Sequence, residues 1–287
     1  MKELHIITFF TLLTIQSCTQ NKETVLFSSS RNGNSDIFLM SSDGSNQTQL
    51  TFQETEEWSP TWISNNQISF LRQLGDTIIR VGMNLDTKRE FKLEHPTNCI
   101  LDDKNILYEP QNKLQLFSCQ NDLFVYNPST DTLINLTENL EGTSAYPSWG
   151  NDYNSVVFTS NHLGTNQIFR INLLTNDLGQ LTDSDSNNER GELSPSGELL
   201  VYSSDYFEKG NQEILIKIIG TSEIINISKS QGTELIARFS ENGNIIYYGS
   251  NRDGNWEIYA YELNSKKTTR LTVNQSFDGD PRVHRMK

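Results

Sequence analysis

The sequence predicts an all-β chain, a six-bladed β-propeller of four-stranded blades closed by a C-terminal strand inserted in the first blade. Three features recur in phase. A large apolar residue followed by a polar turn recurs at Trp62, Tyr108, Trp149, Leu193, Phe239 and Val283, with spacings of 46, 41, 44, 46 and 44 residues. An apolar run carrying an aromatic recurs at Phe27, Phe70, Phe117, Phe158, Tyr202 and Tyr248. A closing pair follows in most units: Leu50-Thr51, Leu136-Thr137, Leu181-Thr182, Ile227-Ser228 and Leu271-Thr272. A repeat of 40 to 50 residues built from strands is the period of propeller blades.

Local chemistry within one unit gives the strands in order. Asn244 opens a short apolar and aromatic run to Ser250, and Asn251-Arg-Asp-Gly-Asn is a turn. Trp256-Glu-Ile-Tyr-Ala-Tyr-Glu alternates polar and apolar residues, Asn264-Ser-Lys-Lys turns the chain again, and Thr268-Thr-Arg-Leu-Thr is a third strand. The segment from Gln275 to Arg282 leads into a fourth. Beyond the first twenty residues no stretch carries a convincing helical apolar period.

The two ends of the repeat complement each other. The first unit starts at Thr24-Val-Leu-Phe-Ser with no strand of the Pro-x-Trp kind before it, and the last unit overruns into Asp280-Pro-Arg-Val-His, which has that form. Insertion of this tail into the first blade would pair an open sheet edge and remove an aggregation hazard.

At the N-terminus Lys2 precedes the apolar run Leu4 to Ile15, too short to span a bilayer. The Ile15-Gln-Ser-Cys18 that follows resembles the lipobox of bacterial lipoproteins. The resemblance implies a signal peptide over 1–17, acylation of the Cys18 thiol, a tether over 18–23 and a propeller over 24–287. Ordinary secretory cleavage and a buried first strand are the alternatives. Several acyl chains on one residue exceed the marginal binding of one.

Composition suits an exported globular protein. The net charge is -13, which the removal of Lys2 and Glu3 leaves unchanged, and so strong an acidic balance excludes nucleic acid as an expected partner. With Cys18 assigned to the lipid, Cys99 and Cys119 read as small buried hydrophobes; a disulfide between them would need Cα atoms within about 7 Å.

The units resemble the TolB-type propeller repeat, a relative of WD40 repeats, through Pro60-Thr-Trp-Ile-Ser, Pro147-Ser-Trp-Gly-Asn, Leu193-Ser-Pro-Ser-Gly, Phe239-Ser-Glu-Asn-Gly, Ser30-Arg-Asn-Gly-Asn and Ser250-Asn-Arg-Asp-Gly-Asn. Unit two departs from the pattern: Leu71-Arg-Gln-Leu-Gly-Asp-Thr and Phe91-Lys-Leu-Glu replace its turn and its closing pair. The resemblance implies the fold and leaves function open, because such propellers serve in a periplasmic translocation protein, in prolyl peptidases and in sugar lyases. Gly33 and Gly254 are expected to supply positive φ in the hairpins, and Arg31 and Arg252 to pair with an acid on the neighbouring blade.

No catalytic constellation stands out. His95, His162 and His284 are scattered, and no His-Glu-x-x-His, Gly-x-Ser-x-Gly or phosphate-loop motif occurs. Five positions before each repeat marker stand Glu57, Asp103, Ser144, Asn188, Glu234 and Asp278. If these open the innermost strands, as in TolB-type propellers, they ring the pore mouth with four carboxylates that would attract a basic segment; equally, they could cap the loops entering each blade. Loops on the same face add Phe52, Glu54, Glu56, Trp58, Glu141, Tyr146, Asp183, Asp185, Glu189, Phe277 and Asp280. Trp58 and Phe277 could bind a partner or pack beneath the loops.

The expectation is therefore a non-catalytic, monomeric envelope lipoprotein. It would be anchored at the membrane, in an outer membrane facing the periplasm or the cell surface. It would bind an envelope protein or peptide through an acidic pore face (Glu57, Trp58, Asp103, Ser144, Asn188, Glu234, Asp278), with no cofactor, metal or nucleic acid. The alternatives are a carbohydrate- or peptide-active enzyme and a small-ligand or metal receptor with its site in the pore.

Overall fold

A computed structural model describes residues 23–96, 99, 105–109 and 114–284. Among these, strands form six four-stranded antiparallel sheets, each running from an inner strand at the pore to an outer strand at the rim. Blades two to six begin on inner strands Glu57–Ser64, Leu107–Tyr108, Ser144–Trp149, Asn188–Leu193 and Glu234–Phe239. Blade one takes its inner strand, Asp278–Val283, from the far end of the chain, beside Thr24–Ser29.

That inserted strand is the clasp expected from the repeat. Val283 lies opposite Val25, Arg282 opposite Leu26, Gly279 opposite Ser28 and Asp278 opposite Ser29. The Arg282 carbonyl also accepts the Trp62 indole N–H at 3.1 Å, tying the clasp to blade two.

Continuous apolar runs, rather than strict alternation, follow from strands buried on both faces. In Thr24–Ser29, Val25 and Phe27 pack with Tyr247 and Ile258 of blade six, while Leu26 packs with Ile68 and Phe70 of blade two. The core is thus distributed as layers between blades, closing around the ring. Fully burying one such side chain stabilises the fold by roughly 1.5–3 kcal/mol.

The closing Leu-Thr pair has a hydrogen-bonding cause. The hydroxyls of Thr51, Thr137, Thr182, Ser228 and Thr272 accept the backbone N–H of Ile37, Leu123, Ile168, Ile214 and Ile258 at 2.8 to 3.0 Å, where the outer strand has ended. Thr51, Thr137 and Thr182 pass the bond on to Asp36, Asp122 and Gln167. The preceding apolar member, Leu50 or Leu271, fills the core beneath.

Blade two lacks this pair and uses charge instead. Arg72 donates to Glu57 and, through both terminal nitrogens, to Glu90 at 2.7 and 2.8 Å. Arg80, also buried, donates to the Glu94 carbonyl at 2.6 Å and to the Tyr108 hydroxyl. A planar guanidinium satisfies several acceptors at once, which one threonine cannot.

Cys99 and Cys119 form a disulfide, with Cα atoms 5.7 Å apart. This corrects the reading of them as separate thiols. Blade stacking brings the segment before blade three against the end of its second strand, and Cys99 packs there with Leu71 and Phe117. A bond closing a loop of 20 residues restricts the unfolded chain by about 3 kcal/mol. Cys119→Ala is expected to lower unfolding free energy by about 2–4 kcal/mol in denaturant titrations of the oxidised protein. It should cause little further loss under reducing conditions, where both chains lack the bond.

Candidate binding faces and the pore

Every inner strand starts at the same end of the molecule. The loops joining successive blades and the hairpins between second and third strands lie at that end too, here called the loop end. Of the expected site residues, Cys18 and Asp103 lie outside the described residues. Glu57, Ser144, Asn188, Glu234 and Asp278 each open an inner strand, as anticipated.

The three described carboxylates do not stand open at a pore mouth: Glu57, Glu234 and Asp278 are 0% exposed. Glu57 is held by Arg72. Glu234 accepts from the Ser230 and Ser250 hydroxyls at 2.6 and 2.7 Å and pairs with Arg252 at 3.3 Å. Asp278 pairs with Arg31 at 2.7 Å. Burial pushes the Glu57 and Asp278 carboxyls above the ordinary carboxylate range, against the pull of these partners. The arrangement is that of loop caps, since Ser230 belongs to the incoming loop and Arg31 and Arg252 to the hairpins. The two arginines thus pair within their own sheet rather than with a neighbouring blade.

The neutral positions behave alike. The Ser144 hydroxyl donates to Ser160 at 3.2 Å. Asn188 accepts from Ser204 at 2.6 Å and donates to Gln167 at 2.8 Å. Trp58 is half-buried against the cluster of Leu71, Phe117 and the disulfide. Gly33 and Gly254 sit at φ +121° and +103°, where a Cβ would be strained, as their hairpin role requires.

Apolar side chains nevertheless stand open at the loop end. Phe52 is 73% exposed, Phe277 40%, Tyr206 45% and Phe207 55%, with Leu163 and Val273 in the same tier of loops. Glu54, Glu56, Asp183, Asp185 and Glu208 are exposed between them. At the opposite end, among the described residues, Leu174 is the one large apolar side chain of comparable exposure in a turn.

The pore wall comes from positions that the repeat markers point to but do not include. Residues immediately before each marker, Thr61, Leu107, Ser148, Glu192, Arg238 and Arg282, all line a cavity of about 140 Å³ that opens at the end opposite the loops. Two residues earlier, Asn105, Tyr146, Arg190, Ile236 and Asp280 line a narrower cavity of about 30 Å³ deeper in the pore. Ser59, Tyr146, Arg190, Ile236 and Asp280 have φ between +50° and +61°, each where the inner strand slips register against its neighbour. That bulge, costly for a β-branched residue such as Ile236, re-aims the strand.

One side of the pore is cationic despite the acidic chain. Arg190, Arg238 and Arg282 come from blades five, six and one. Arg190 lies over the Tyr146 ring at 3.7 Å. Arg238 is 8% exposed. Burial first, then the neighbouring Arg282 guanidinium, push it down to about 9 against the attraction of Glu192, so it remains a cation at neutral pH.

Searches with this sequence found no matching family and no matching curated protein. Solved structures do match. TolB from Acinetobacter baumannii is similar with a TM-score of 0.77 and 18% identity, over 91% of this chain and 66% of that one. The fold is a TolB-like β-propeller. A protein described as TolB from Agrobacterium tumefaciens is similar with a TM-score of 0.68 and 14% identity, over 90% of each chain. An oligogalacturonate lyase in complex with manganese is similar with a TM-score of 0.54 and 13% identity, over 86% of this propeller and 73% of the lyase. Identities this low establish the fold and leave the function to the site.

Among the described residues no three of His, Cys, Asp and Glu are grouped so as to hold a metal ion. The described histidines lie apart: His95 donates through Nε2 to the Ile78 carbonyl at 2.7 Å, His162 packs at a tilt against Phe169, and His284 meets Trp62 edge-on.

Proposed function

We propose that this chain is a binding propeller of a bacterial envelope that engages a basic protein or peptide segment through its loop end. The observation that carries this reading is the concentration of exposed aromatic and apolar side chains there, Phe52, Tyr206, Phe207 and Phe277, among exposed carboxylates. Exposed aromatic side chains set among charge are the composition of an interface, and acidic groups steer a basic partner. The acidic face thus rests on Glu54, Glu56, Asp183, Asp185 and Glu208, while the buried Glu57, Glu234 and Asp278 keep their loops in place.

The envelope location draws on two features. The Ile15-Gln-Ser-Cys18 stretch resembles a lipobox, and a Cys99–Cys119 disulfide suits an oxidising compartment. Cys18→Ser is expected to shift the protein from the detergent-extracted membrane fraction to the soluble one, or to leave it unprocessed. A variant that stays processed and membrane-bound would rule out the lipid anchor.

The binding face is tested by placing a photo-crosslinking residue at Phe52, at Phe207 or at Leu174 in cells that make the protein. Adducts are expected from Phe52 and Phe207, weakened by added salt, and not from Leu174. Adducts from Leu174 alone would put the face at the other end.

A further inference from the structure

We propose that the cationic side of the pore binds the carboxylate of an apolar organic acid. The site opens at the end opposite the loops, so the inference goes beyond the proposed loop-end function and does not depend on it. Its components are Arg190, Arg238 and Arg282, with aromatic walls from Trp62, Trp149 and Tyr153.

Unsatisfied donors in the pore call for a ligand. The Nε atoms of Arg190, Arg238 and Arg282 are buried with no hydrogen-bond partner among the described residues. A buried charged donor left unpaired is costly, and such groups in a folded protein call for a reason. Arg238 carries this furthest, because its side chain is nine-tenths buried and its one hydrogen bond reaches the Ala237 carbonyl at 2.9 Å through Nη1.

The described carboxylates of the pore stand too far off to meet that demand. Glu192 approaches the Arg238 Nε at 3.5 Å, and its other oxygen accepts the Phe239 backbone N–H at 2.9 Å. Asp280 stands 3.7 Å from the Arg282 Nη2. Both distances exceed those of a charge-assisted hydrogen bond, about 2.7–2.9 Å.

Charge count selects the valence of the ligand. Among the described residues, three guanidinium groups face the two carboxylates Glu192 and Asp280 within the pore, and the Glu241 side chain at the rim is solvent-exposed and screened. One negative charge therefore balances the interior. A phosphate dianion would overshoot and meet repulsion from Glu192 and Asp280. The guanidinium fork fits a planar carboxylate, and Trp62, Trp149 and Tyr153 give its apolar body a wall.

Two sources offer this chemistry: a free aryl or alkyl acid, and the free C-terminus of a peptide ending in an apolar residue. The test is calorimetric titration of the purified protein with 3-phenylpropionate, with N-acetyl-Gly-Leu-Phe as the free acid, with the same peptide as its C-terminal amide, and with inorganic phosphate. At least one free acid is expected to bind, with the amide weaker by about ten-fold or more, since a hydrogen bond to a charged group contributes about 1.5–3 kcal/mol. Whichever acid binds more tightly assigns the source, and either upholds the site.

Arg282→Gln is expected to weaken that binding by about ten-fold. Glu192→Gln, whose amide oxygen can still accept from Phe239, should tighten it several-fold by removing a competing anion. The second variant keeps the test decisive if the first folds poorly. Equal binding of acid and amide, tighter binding of phosphate, no heat with either acid, or unchanged affinity in Glu192→Gln would each overturn the proposal. None of these outcomes bears on crosslinking at the loop end.

Discussion

A chain ending at Gly279 is expected to unfold at least about 8 °C below the full protein, which corresponds to a loss of about 4 kcal/mol at roughly 2 °C per kcal/mol for a domain of this size. The deletion strips Val283 and Arg282 from Val25 and Leu26, takes the carbonyl that accepts the Trp62 indole, and removes the His284 ring from the same Trp62. It also opens the layer in which Val283 packs against Val25, Phe27 and Tyr247. Backbone pairing and apolar burial are lost together, which places the change among the largest single effects. The check is thermal denaturation followed by circular dichroism. A shift of less than about 2 °C would mean that blade one holds its edge without the tail.

Arg72→Met should cost about 3–5 kcal/mol at neutral pH, the range for removing one partner of a buried ion pair. Arg72 holds the fully buried Glu57 and clasps Glu90 with both terminal nitrogens, in the blade that lacks a closing threonine. Burial already raises the Glu57 carboxyl above its ordinary range despite this arginine. For an acid whose folded pKa is raised, stability is full below the unfolded pKa and falls as pH rises through the folded one. Without Arg72 the carboxyl should rise further. The deficit of Arg72→Met should therefore shrink as pH drops and Glu57 is protonated in both chains. Combining it with Glu57→Gln should recover part of the loss at neutral pH, as coupled neighbours do. Denaturant titrations at pH 4.5 and 7.5 read both effects. A deficit independent of pH, with no recovery in the double variant, would assign the cost to packing over Phe70 instead.

The fold was legible because its signals are periodic. Trp62, Trp149 and Phe239 mark blades at a fixed spacing, and the Leu-Thr pair recurs because the threonine hydroxyl answers the same open backbone N–H in five blades. The tail Asp280-Pro-Arg-Val-His was readable as the missing strand of blade one for the same reason.

The site was legible only in its positions. Repetition places Glu57, Glu234 and Asp278 at the heads of inner strands, but whether a carboxylate there meets water or an arginine depends on hairpin side chains such as Arg31 and Arg252, whose direction the period does not encode. The pore arginines carried a signal that could have been found: the residue before each marker reads Thr, Leu, Ser, Glu, Arg, Arg around the ring. It was obscured because no single position repeats. The disulfide depends on how blades two and three stack, which lies beyond the reach of spacing along the chain.

The exchanged strand also sets the order of folding events. Arg31 and Asp278 are 247 positions apart, yet they must meet before the first sheet is complete. Blades two to six can form from contiguous segments as the chain emerges. The first cannot, so its open edge persists until the C-terminal residues arrive. Such long-range pairing is slow, because chain entropy is spent before any contact repays it. During that interval the nascent protein carries an unpaired strand, its period of greatest exposure to aggregation. Export of the whole chain ahead of folding would shorten that interval to the time of ring closure.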